Sequence, residues 1–250
     1  MTQLAPDPRG TDLPVLDQLD RAVWNALHGP HAALAVRQGR VVTYPADVSV
    51  FASLPASPTP ADWDDAAALA RAGADGLLVV TGDVPEPPAD WTVLMDLPGV
   101  QMVATDAVAS APFPEAVQLD LHDRRDVADA LALVERTKPG PFFPRTMAMG
   151  TYRGVRRGGE LVAMAGERLH PEGAVEISAV CTDAAWRGQG LGTRLVQAVT
   201  HGIRERGEVP FLHASATNTG AIRLYEHLGF RLRRTTRFTA LCPPTPTPRP

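Results

Sequence analysis

Apolar positions along the chain change period several times, and each change marks an element. From Val15 to Leu27, the residues Leu16, Leu19, Val23 and Leu27 recur at helical spacing and predict an amphipathic helix. HAALAVRQGRVVTY then predicts a hairpin turning at Gln38 and Gly39, with VSVFASL as a further strand. In TPADWDDAAALARAG, Thr59 precedes Pro60, acids fill the first turn and Gly73 stands at the exit, which predicts a helix. GLLVV, WTVLM and VQMVA predict three more strands and complete a mixed α/β half. Pro112 and Pro114, in AVASAPFPEA, interrupt the pattern, which restarts with strand VQLDL and a helix from Asp123 to about Thr137.

Beyond that restart, GTYRGVRRGGELVAMAGER predicts two strands turning at Gly158 and Gly159, and GAVEISAVCT a third. LGTRLVQAVTHGIRERG places Leu191, Leu195, Val199 and Ile203 on one helical stripe, and FLHAS is another short strand. NTGAIRLYEHLGF reads as a helix capped by Asn218 and stopped at Gly229, with Ala221, Leu224, Tyr225 and Leu228 as its buried stripe. RLRRTTRFTAL closes the sheet. The fold class expected is α/β (α+β). The domains expected are an N-terminal α/β domain over 1–112, a second domain over 113–241, and a proline-rich disordered tail over 242–250.

Composition narrows the functional classes. In 250 residues, 44% are hydrophobic and 21% charged, enough to build cores without staples. A net charge of −4 gives no global argument for nucleic acid or an anionic membrane as partner. Cys181 and Cys242 have no metal or redox spacing, so a reducing cytoplasm is the expected compartment. No apolar run reaches the roughly 18 residues of a membrane span, and the first residues lack the character of a signal peptide. His28 and His31 flank a Gly-Pro, which excludes a shared helical face and predicts a loop rather than metal ligands.

The chemistry concentrates in RGQGLG, Arg187 to Gly192, between a predicted strand and a predicted helix. Glycine-rich turns opening a helix present unpaired amides and a positive dipole end to an anion. The G-x-G-x-G spacing of Gly188, Gly190 and Gly192 is not the G-x-G-x-x-G of a dinucleotide site, and no lysine follows as in a P-loop. It fits R-x-x-G-x-G, followed about one strand later by N-x-x-A-x-x-x-Y-x-x-x-G-F from Asn218 to Phe230. With these two motifs in this order, the chain from about 115 to 241 resembles the GCN5-related N-acetyltransferase (GNAT) superfamily. The resemblance implies transfer of an acyl group, most simply acetyl from acetyl-CoA, to a primary amine, with no metal.

It also implies roles. Arg187, Gly188, Gln189, Gly190, Leu191, Gly192 and Thr193 would meet the pyrophosphate of coenzyme A. Val180, Cys181 and Thr182, on a strand splayed from its neighbour, would hold the pantetheine arm through the main chain, and Asn218 would bond it from the other side. Tyr225 would protonate the departing thiolate, where periodicity alone reads a core tyrosine. Glu176 would be the base, an assignment that competes with a solvated strand acid and proton transfer through water. Phe142 and Phe143 in PGPFFPRT either wall the acceptor pocket or anchor a loop. Arg223, Arg231, Arg233, Arg234 and Arg237 form either a solvated face or a contact for an acidic acceptor or the coenzyme's 3′-phosphate. The first half looks like a degenerate second copy of the same fold, with an unrelated α/β domain or a separate binding module as the alternatives. Two rivals stand: a coenzyme-binding sensor without turnover, and transfer to a hydroxyl or thiol.

Overall fold

The computed structural model describes residues 13–73 and 75–245. The first half contains α1 (Leu13–Gln18), α2 (Ala22–His28), β1 (Val36–Gln38), β2 (Val41–Thr43), β3 (Phe51–Ser53), α3 (Pro60–Ala72), β4 (Leu78–Thr81) and β5 (Thr92–Ala104). The second contains β6 (Ala116–Gln118), α4 (Arg124–Thr137), β7 (Tyr152–Arg157), β8 (Glu160–Glu167), β9 (Ala174–Thr182), α5 (Leu191–Glu205), β10 (Val209–Ser215), α6 (Thr219–Leu228) and β11 (Phe230–Cys242). The helix expected over Val15–Leu27 is broken in the middle by a short 3₁₀ turn, because Arg21 leaves the helical region at φ −130°. The tail residues 246–250 lie outside the described residues, and Cys242 ends β11.

All the strands form one mixed sheet in the order β1-β2-β3-β4-β11-β5-β10-β9-β8-β7-β6. The order contains a repeat. In the first half β1, β2 and β3 run antiparallel and α3 crosses over to a parallel β4; in the second, β7, β8 and β9 run antiparallel and α5 crosses over to a parallel β10. The strand that follows each crossover pair then docks in the other half: β5 beside β10, and β11 beside β4. The two exchanged strands pair with each other along almost their full length, from Phe230↔Ala104 to Cys242↔Thr92. The two halves thus share one strand pattern.

WTVLM and VQMVA, expected as two strands, are one continuous β5 through Pro98 and Gly99. Proline is tolerated there because pairing with β10 begins only at Gly99, so Pro98 sits where a ladder hydrogen bond is not required. Gly99 is fixed by packing, since a Cβ would fall 2.5 Å from the Phe238 ring.

The cores follow the sheet rather than the halves. Met102, Ala104 and Val108 pack with Leu191, Leu195 and Val199 of α5, and Leu19, Val23 and Leu27 share a second cluster with Leu169 and Phe211. Each fully buried leucine or valine of the α5 stripe contributes about 1.5–3 kcal/mol, so the stripe fixes α5, and with it the N-terminus of the helix, against β8 and β9. Among the described residues no helix is long and apolar enough to cross a membrane.

Candidate active-site cleft

β9 and β10 pair only at Ala174↔Val209, Val175↔Pro210 and Glu176↔Phe211. Beyond those pairs β9 keeps β8 as its partner while β10 turns to β5, so the two strands diverge. Ala179 deepens the divergence: at φ +51° it occupies the left-handed region, uncommon for a residue with a side chain, and makes a bulge in β9. The gap is a cavity of about 610 Å³ lined by Ile177–Thr182 on one side and His213–Ser215 on the other. Val180, Cys181, Thr182, Arg187, Asn218 and Tyr225 all line it.

At the end of β9 the chain passes a short 3₁₀ turn, with Asp183 accepting from the Ala185 amide, and enters the glycine loop. Gly188 and Gly190 sit at φ +77° and +73°, where a Cβ would be strained although it would meet open space. Gly190 is the N-cap of α5 and has no side chain to cap the helix, so the amides of Leu191, Gly192 and Thr193 keep their orphan donors. The geometry suits a diphosphate: small residues on an open surface, a helix N-terminus and the exposed Arg187, whose Nε donates to the Thr182 carbonyl at 3.2 Å.

Tyr225 lies on the buried face of α6, its ring edge-on to Phe230 at 5.9 Å. Burial, with a smaller push from Cys181, moves its phenol up to about 12, so it remains protonated through the neutral range. Asn218 caps α6 by accepting from the Ala221 amide at 3.2 Å. The Cys181 thiol is buried and pushed up by that burial, so it stays protonated and is a poor nucleophile.

Glu176 is placed differently from the expected base. It is fully buried and absent from the cavity wall. Arg168 grips it with Nε at 2.8 Å and Nη2 at 2.6 Å, and His213 donates from Nδ1 at 2.8 Å. Burial alone would raise its pKa, but Arg168 and His213 outweigh that and hold the carboxyl well below the usual range. A general base needs a pKa near the working pH and a free lone pair on the substrate; this carboxylate has neither. Glu176 lies in the stretch where β9 is still paired with β10, opposite Phe211 and before the strands part, and the Ala179 bulge breaks its alternation only with Val180.

The network runs on. Gln101 of β5 donates to His213 Nε2 at 3.0 Å and to the Leu19 carbonyl at 2.9 Å, and accepts from Arg233 at 2.7 Å. Arg233 reaches Asp20, which Arg234 shares with Asp83. Arg237 pairs with Asp96. The arginine strip of the last strand is therefore largely spent on acids of the first half, a pairing invisible in a sequence that does not announce strand exchange. Pro139, Gly140 and Pro141 line the cavity, whereas Phe142 stacks edge-on against Tyr152 at 5.6 Å and anchors the loop. His31 is a buried tether and no ligand: the Met149 carbonyl accepts from its Nε2 and Tyr44 donates to its Nδ1, both at 2.9 Å. Among the described residues no group of three histidines, cysteines or acids is placed to hold a metal.

The comparisons with known proteins agree with this geometry. Residues 152–239 match the family of FR47-like proteins. A crystal structure of a GNAT-family protein from Novosphingobium aromaticivorans DSM 12444 superposes with a TM-score of 0.80 at 39% identity, over 91% of this chain and 99% of that one. A mycothiol acetyltransferase of Nocardiopsis dassonvillei is 32% identical over 142 residues, 52% of this chain but only 38% of that protein's length. N-alpha-acetyltransferase RimI of Mycobacterium tuberculosis is 36% identical over 98 residues, 37% of this chain and 61% of that protein. Fold, glycine loop, splayed strands and near-complete match to a family structure lead to one conclusion: the chain belongs to the GCN5-related N-acetyltransferase superfamily.

Proposed function

We propose that the protein transfers an acyl group, most simply acetyl, from acyl-CoA to a primary amine by direct attack within a ternary complex. The observation that carries this reading is the parting of β9 and β10 after Glu176 and Phe211, with an uncapped glycine-rich helix N-terminus beside the gap and a protonated tyrosine in its wall.

The coenzyme supplies an acyl group activated as a thioester. The amides from Gly188 to Thr193 and the Arg187 guanidinium hold its pyrophosphate. The main chain of Val180, Cys181 and Thr182, a stretch of β9 with no ladder partner in β10, takes the pantetheine arm as a further strand would, and Asn218 bonds it across the gap. As the carbon–nitrogen bond forms and the carbon–sulfur bond breaks, Tyr225 gives its proton to the sulfur, and the amine's surplus proton leaves to water. Cys181, kept as a neutral thiol, takes no acyl group, consistent with a single displacement.

Glu176 acts on position instead of on protons: with Arg168 and His213 it sets the point where β9 and β10 part. Calorimetric titration with coenzyme A tests the coenzyme site. Saturable one-to-one binding, lost in Gly190→Glu, is the expected result, and equal affinity in the two proteins would refute the assignment of the glycine loop.

A further inference from the structure

One wall of the cleft comes mainly from the first half of the chain, and its chemistry is uniform. Phe51 of β3, Val79 of β4, Met95 and Leu97 of β5 and Phe238 of β11 are apolar and border the same cavity as Tyr225. Strand exchange places Met95, Leu97 and Phe238 there, because β5 and β11 cross between the halves. The charges on this cavity are equally one-sided. Lys138, Arg168 and Arg187 line it, and among the described residues no aspartate or glutamate does. Arg168 is not free to recruit an anion: its guanidinium is spent on Glu176 and lies 4.9 Å over the Phe51 ring.

We infer that the acceptor is a monoamine carried on an apolar, aliphatic or aromatic body, and not a polycation. This rests on the reading of the cleft as an acyltransferase site. A second ammonium group entering this wall would lose its hydration with no carboxylate in the lining to replace it and with Lys138 and Arg187 around the same cavity, whereas an apolar body gains by leaving water. The apolar side chains of Leu97 and Phe238 suit ring or alkyl contact, and Met95, with its flexible thioether, adapts to its shape. The amine itself is accepted as the neutral form, which attack requires, and so brings no charge into the wall.

The test compares 2-phenylethylamine and hexylamine with spermidine and kanamycin in thiol release from acetyl-CoA, with coenzyme A binding measured on the same preparations. The expected result is a kcat/KM for the monoamines at least about tenfold above that for the polycations. Met95 is 41% exposed at the rim, so Met95→Glu is compatible with folding. This variant should bind coenzyme A as the native protein does and shift the preference toward spermidine by about tenfold. Equal or better turnover of spermidine or kanamycin by the native protein overturns the inference, as does coenzyme binding with none of the four amines accepted. Absence of coenzyme binding would instead overturn the underlying reading of the cleft.

Discussion

At the scale of single residues, the structure separates two roles that a motif runs together. Tyr225 is buried, protonated and in the cavity wall, so Tyr225→Phe should lower kcat by roughly 10- to 1000-fold, within the usual range for losing an acid, with coenzyme affinity nearly unchanged. Wild-type turnover in that variant removes the tyrosine from the chemistry. Glu176 is an ion-paired carboxylate, and Glu176→Gln leaves Arg168 buried beside a neutral amide. The expected loss is of stability, about 3–5 kcal/mol by chemical denaturation, and a variant of native stability that has lost only turnover would restore the catalytic role. Its depressed pKa places the acid-sensitive window below the ordinary carboxyl value near 4.5: stability is full above it and declines as pH falls toward the folded value. His31 acts in an earlier window. Burial lowers its pKa to about 4 from an ordinary 6.5, so the unfolded chain binds the proton first. Stability should then fall as pH drops from 6.5 to 4, by on the order of 3 kcal/mol. His31→Gln should flatten that slope in thermal melts taken across the range, and an unaltered slope would assign it elsewhere.

At the scale of elements, Gly190 offers the sharpest contrast between backbone strain and charge. Both Asn and Glu must adopt its φ of +73°, but asparagine tolerates that region and brings no charge. Gly190→Asn should therefore keep most of the coenzyme affinity, and Gly190→Glu should lose about 100-fold or more, on the order of 3 kcal/mol; a similar loss in both would point to strain alone. The sequence made this element legible because each of its parts is local: glycines at a turn, a stripe on the helix behind it, Asn218 as a cap and Gly229 as a stop. Strands were legible for the same reason, down to the turn at Gly158 and Gly159. Features set by distant neighbours were not. The bulge at Ala179 carries no glycine to mark it, and the pairing of Glu176 with Phe211, which keeps it out of the gap, depends on β10. Gln101, which joins His213 to Arg233 and Leu19, stands in VQMVA with nothing to distinguish it from a solvated strand residue. The continuity of β5 through Pro98 follows from what β10 does, not from the residues of β5.

For the whole molecule, the exchange of β5 and β11 joins the two halves in one continuous sheet. A chain starting at residue 113 would leave β10 without β5 and β11 without either neighbour, and would strip Gln101 from the buried network. That fragment is expected to be insoluble or molten by near-UV circular dichroism, and a cooperatively melting fragment would show the halves to be independent. The repeat also allows the two halves to be compared. There β3 and β4 bound a smaller cleft of about 240 Å³, and Arg21 donates into it to the Leu54 carbonyl, a main-chain group at the end of β3. In the second half the corresponding strand end opens onto the glycine loop instead. Acyl transfer itself is tested most directly by release of free coenzyme A thiol from acetyl-CoA in the presence and absence of 2-phenylethylamine. The account predicts release that depends on the amine, saturates with it and yields the N-acetyl product in equal amount. Tight coenzyme binding with no release above background for any amine would contradict it and mark the protein as a sensor of the coenzyme.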